Sequence, residues 1–79
     1  MISMTAVDTR ANSVDRNVGK KISQFREKAG YQVELCAALM GAAVHELRDY
    51  ESGAHRIPAA RLVALSKVLS VPVASFFLF

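Results

Sequence analysis

The side chains best suited to bind metal or pass protons near neutral pH are two histidines, His45 and His55, and a single cysteine, Cys36. One cysteine leaves no partner for an internal disulfide, and neither histidine has a cysteine or carboxylate cluster at metal-ligand spacing. Cys36 reads as a small buried apolar side chain. There is no nucleophile elbow, phosphate-cradling glycine loop or paired-carboxylate arrangement, so the expectation is a protein without catalysis, cofactor or metal. The more informative group is Val44, His45, Arg48 and Asp49, close together in the chain. An arginine fork can grip the two acceptors of a guanine edge, a histidine a base edge or a phosphate, and an aspartate the amino group of cytosine; a valine packs on a thymine methyl. That is the chemistry of recognition.

Such side chains need a scaffold. With 79 residues there is room for one core only. Apolar residues make up 52% of the chain against 22% charged, in periodic stretches, which predicts a folded globule. No apolar run approaches the length of about 20 residues that a membrane helix needs. No signal peptide is visible in Met1 to Arg10, so a soluble, cytoplasmic protein is expected. A net charge of +3 suits an anionic partner without demanding one.

Residues 1–16 mix Ser, Thr, Asn, Asp and Arg without an apolar repeat and predict a flexible leader, with the domain occupying 17–79. Val18, Ile22, Phe25 and Ala29 then recur at helical spacing, and Gly30 supplies the stop. A second helix is expected over Val33 to Met40, closed by Gly41, and a third from about Ala43 to Ser52, closed by Gly53. Pro58 suits the first position of a fourth helix, with Leu62, Leu65, Val68 and Leu69 on one face. Ser70 to Pro72 repeats the stop and start, and Val73 to Phe77 can form a last short turn. The expected class is all-α, with five helices.

Ala37, Gly41 and Leu47 have the spacing of a helix-turn-helix unit: a small residue at the crossing, a glycine at the turn and an aliphatic residue facing back. Around them, Val18-Gly19-Lys20-Lys21-Ile22 with Phe25-Arg26, Tyr50-Glu51-Ser52-Gly53, and Arg61-Leu62 through Leu69 to Phe77 resemble the Cro and phage-repressor (Xre) family. The resemblance covers Asn17 to Phe77. It implies a compact five-helix lambda-repressor-like domain that binds double-stranded DNA as a transcription regulator, with the helix near 43–52 in the major groove. It also implies that Arg26 and Glu51 form a structural ion pair. By position in the motif, Val44, His45, Arg48 and Asp49 face the bases, while Lys20, Lys21, Gln32, Ser52, His55, Arg56 and Arg61 are candidates for phosphate contacts.

The chain departs from the family pattern at the start of the second helix, where Gln32-Val33 stands in place of a hydroxyl residue followed by glutamine. Ala43 starts the recognition helix without a capping hydroxyl, which forgoes about 1 kcal/mol. An ungapped register exposes Leu35 and Leu39; a shift of one residue would match them, at the cost of two gaps and of the Ala37 to Gly41 spacing. In the ungapped register Val33, Leu35, Leu39 and Val44 form an apolar surface. That motivates the alternative of a helix-turn-helix module that binds a protein partner, as an accessory or antitoxin-like regulator. Phe76 is expected to close the core, and the rest of Phe76-Phe77-Leu78-Phe79 to cover a second subunit. Such a homodimer suits half-sites one turn of duplex apart, about 34–36 Å.

Overall fold

The first helix begins with a reciprocal cap. Asp15 donates its backbone N–H to Asn12 Oδ1 at 3.1 Å, and Asn12 donates its own to Asp15 Oδ2 at 2.8 Å, so two of the orphan amides at the helix start are satisfied. The computed structural model describes residues 12–79. Among them the elements are α1 (Ser13–Lys28), α2 (Val33–Met40), α3 (Val44–Ser52), α4 (Ala59–Leu69) and a 3₁₀ helix (Val73–Phe77), with no strand. Four helices are α-helical, and the expected fifth takes the tighter 3₁₀ form. Residues 12–16, expected in a leader, therefore belong to the cap and first turn of α1. Of that leader, residues 1–11 lie outside the described residues.

The turn between α2 and α3 works as the spacing predicts. Gly41 closes α2 in the left-handed region at φ 77°, with its N–H bonded back to the carbonyls of Ala37 and Ala38, a conformation that only glycine adopts without strain. Ala37 is 1% exposed and Leu47 fully buried, so the small residue of α2 and the aliphatic one of α3 are both in the core, as the motif requires. Cys36, Ala37 and Met40 are the buried face of α2, whereas Leu35 and Leu39 are 49% and 53% exposed. The ungapped register is the one the chain adopts.

The core is built from all five elements, with Ile22, Cys36, Leu47, Leu65 and Phe76 fully enclosed. Each large apolar side chain removed from water in this way contributes about 1.5–3 kcal/mol. Phe76 closes it from the 3₁₀ helix, its ring edge-on to Phe25 at 5.5 Å. Pro58, expected as the first helical residue, is instead the N-cap of α4, which begins one position later at Ala59. Helix α1 packs on α3 and the 3₁₀ helix, and α2 on α3 and α4. At Gly19 the two backbones of α1 and α3 come so near that an added Cβ would collide with the carbonyl oxygens of Tyr50 and Glu51.

Candidate nucleic-acid interface

Helix α3 divides cleanly. Leu47 and Tyr50 are buried, while His45 and Arg48 are exposed on the opposite side and Val44 and Asp49 are half-buried. Its N-terminus lacks a capping hydroxyl at Ala43, but the loss is partly offset: Glu46 reaches back and accepts the Ala43 N–H at 2.9 Å, which is half of a capping box. The same Glu46 Oε1 accepts from Arg61 Nη1 at 2.9 Å. The two contacts, the backbone one foremost, hold the Glu46 carboxyl below the usual glutamate range. The 3.6-residue period thus sends Leu47 and Tyr50 into the core and presents His45 and Arg48 outward.

Every acidic side chain of α3 is countered from a different part of the fold. Glu46 meets Arg61 of α4. Asp49 Oδ2 lies 3.1 Å from His55 Nδ1 in the following loop. Glu51 is gripped by Arg26 of α1, Nε to Oε2 at 2.6 Å and Nη2 to Oε1 at 3.1 Å, with both side chains largely buried. Hydrogen bonding to Glu51 raises the Arg26 pKa further, against the opposing effect of burial. Arg26 Nη1 also donates to the Tyr31 carbonyl at 2.8 Å, so one guanidinium ties α1, the turn after it and the end of α3. The two arginine pairs leave α3 less acidic toward a polyanion than its composition suggests.

The residues expected at the rim differ in how free they are. Lys20 and Gln32 are exposed and Lys21 is half-buried. Arg56 Nε lies 3.1 Å from Asp15 Oδ1, and Arg61 and His55 are engaged as above. Ser52 Oγ is occupied locally, donating to the Asp49 carbonyl at 3.2 Å and accepting from the Ala54 N–H at 3.3 Å. His45, Glu46, Asp49, Tyr50, His55 and Arg56 together line a shallow polar cleft of about 460 Å³ beside α3. Of the expected apolar surface, Leu35 and Leu39 are exposed, while Val33 and Val44 pack partly on the core.

Three residues that sequence reasoning passed over take part here. Glu34 of α2 approaches Arg48, Oε2 to Nη2 at 3.6 Å, with both side chains 63% exposed. Asp15 holds Arg56 from the start of α1. Arg16 lays its stem against Gly53, where an added Cβ would strike it. None of these pairings follows a local spacing rule; only the helix crossing brings them together. Among the described residues no group of three His, Cys, Asp or Glu could hold a metal ion. No helix among them is long and apolar enough to cross a membrane. Burial raises the Cys36 thiol pKa, and the side chain is fully enclosed.

A buried small-residue crossing, a left-handed glycine turn and a second helix with a solvated polar face define a helix-turn-helix protein of the lambda-repressor-like fold. The restriction-modification controller protein C.AhdI from Aeromonas hydrophila has this fold, with a TM-score of 0.80 at 18% identity, over 84% of this chain and all of that one. The biofilm regulator SinR, known from Bacillus subtilis and solved in complex with DNA, aligns at 30% identity and a TM-score of 0.70, over 75% of this chain and 95% of that one. An uncharacterised transcriptional regulator in the ATPase CF(0) region of Rhodospirillum rubrum is 36% identical over 75 residues, covering 94% of this chain and 69% of that protein. The chain belongs to the Cro and phage-repressor type, or Xre, family of helix-turn-helix transcription regulators. It spans about half the length of other curated relatives that it matches. No protein-family model matches it.

Proposed function

We propose that the chain regulates transcription by binding double-stranded DNA sequence-specifically, with α3 lying in the major groove. The observation that carries this reading is the division of α3: Leu47 and Tyr50 anchor it to the core, while His45 and Arg48 project into solvent. Similarity to SinR, which has been solved in complex with DNA, supports DNA as the partner. Arg48 reads guanine, His45 and Asp49 contact neighbouring base edges, and Val44 packs on a thymine methyl. Lys20, Lys21, Gln32, Ser52, His55, Arg56 and Arg61 are the proposed phosphate contacts, which fix register without reading sequence. Glu46 and Glu51 favour this role because each is already paired with an arginine within the protein.

A homodimer is part of the proposal. Phe77, Leu78 and Phe79 are 47%, 65% and 65% exposed, and Phe77 borders an apolar hollow of about 330 Å³ with Val14, Val18, Ile57 and Leu62. A second subunit placed there would pair two recognition helices on successive half-sites. The reading of a protein-binding module has one observation in its favour, the exposed Leu35 and Leu39 on α2. Selection from random duplex DNA separates the two. An enriched motif whose binding weakens steeply with salt supports the DNA reading. No enrichment, together with stable capture of a protein partner through α2, supports the other.

A further inference from the structure

Arg48 is the one arginine or lysine of α3, and its partner is a carboxylate brought in from outside that helix: Glu34, in the first turn of α2. The contact involves Nη2 of the guanidinium, which leaves the remaining N–H groups of the fork for other acceptors. Glu34 and Arg48 stand on the two helices of the helix-turn-helix unit, so the crossing at Ala37, Gly41 and Leu47 brings their backbones within reach of a side-chain pair. We infer that Glu34 is a specificity-determining residue: it buttresses Arg48 in a groove-facing orientation and denies it to phosphates.

The inference rests on the proposed DNA reading. A long flexible cation gains almost as much from any phosphate as from a base edge, since backbone contacts are the sequence-independent part of binding. Pairing with Glu34 offsets part of the charge that would draw Arg48 to the backbone and favours rotamers that keep it beside α2. A guanine edge, by contrast, accepts two hydrogen bonds in a fixed plane, which a pre-oriented fork satisfies while Nη2 keeps its carboxylate. Docking also excludes water, which strengthens the pair in the complex beyond its small worth on the free surface. Glu34 itself repels the nearby backbone in every complex, so it lowers affinity for arbitrary sequence while sharpening the preference for the chosen one.

The test is Glu34→Gln, measured on the selected duplex and on a scrambled duplex of equal length and composition at one salt concentration. The variant should bind the scrambled duplex about threefold more tightly, with binding to the selected duplex unchanged or weakened, so that the specificity ratio falls. In an Arg48→Gln background, Glu34→Gln should leave the ratio unchanged. Glu34→Asp keeps the charge at the start of α2 but withdraws it from Arg48 by one methylene. It should lower the ratio with less gain on the scrambled duplex, which also guards against a folding defect in the Gln variant. Equal tightening on both duplexes, an unchanged ratio in Glu34→Gln, or a fall that persists without Arg48 overturns the inference while leaving the DNA reading intact. Failure of the unmodified chain to bind any duplex overturns the reading beneath it.

Discussion

Arg26 and Glu51 lie 25 positions apart in the chain and meet in a two-pronged pair, Nε to Oε2 at 2.6 Å and Nη2 to Oε1 at 3.1 Å, with side chains only 14% and 13% exposed. The pair fixes the C-terminal end of α3 against α1, and α3 carries the proposed reading surface. Removing one partner leaves the other charge nearly buried and unpaired. Arg26→Met should therefore cost about 3 kcal/mol of stability, toward the low end for buried pairs because some solvent remains. Arg26→Met with Glu51→Met should recover most of that loss. Urea unfolding of the three proteins checks it, and a double variant no more stable than the single one contradicts it.

Gly19 sets how closely α1 and α3 approach. Its missing Cβ faces the carbonyl oxygens of Tyr50 and Glu51, which are backbone atoms that cannot swing aside as a side chain would. Alanine is the better helix former by about 1 kcal/mol. Gly19→Ala should nevertheless destabilise by about 2 kcal/mol, because overpacking forces the helices apart. Thermal unfolding provides the measurement, and a rise in Tm would show that the helices separate freely.

Which parts of this architecture are legible in the chain follows from the range of the interactions involved. The turn at Gly41 and the buried Ala37 and Leu47 follow from spacing, because helical periodicity and the glycine conformation are local. The start of α1 is harder to see. Its cap is written in Asn12 and Asp15, but Ser13 to Asn17 offers only Val14 as an apolar signal, and periodicity is weak over a single turn. Glu34 beside Arg48 and Asp15 beside Arg56 were not legible at all, since the partners are brought together by tertiary packing and no fixed sequence separation marks them. Ala43 shows the reverse case: its weak capping chemistry is plain in the sequence, but the contribution of Glu46 three residues on depends on a side chain that Arg61 also holds.

Glu46 provides a pH test. Its carboxyl is held low by the Ala43 amide and by Arg61, so the folded protein favours the ionised form. That contribution is fully present above the unfolded glutamate value of about 4.3 and is lost as pH falls through the lower folded value. Glu46→Gln should lower Tm at neutral pH and narrow toward the parent protein in strong acid. A Tm difference that stays constant across the acid range would detach Glu46 from the stability of α3.

Arg48 and Arg56 differ in what their loss should do to DNA binding. Arg48 projects from the outer face of α3, where a fork can meet a base edge, and a good bidentate contact discriminates by about 1–3 kcal/mol. Arg56 lies in the loop beyond α3, lining the polar cleft next to His55 and bonded through Nε to Asp15. Its remaining N–H groups are turned to no other acceptor among the described residues, which suits the proposed role of attachment to the phosphate backbone. Arg56→Ala should weaken all sequences alike and reduce the slope of log affinity against log salt by about one unit. Arg48→Ala should leave that slope nearly unchanged and flatten the preference at one base position. Salt titrations on the selected and scrambled duplexes distinguish the two variants. If the effects are exchanged, with Arg56 governing preference and Arg48 the slope, then the loop reads the sequence and α3 lies along the backbone.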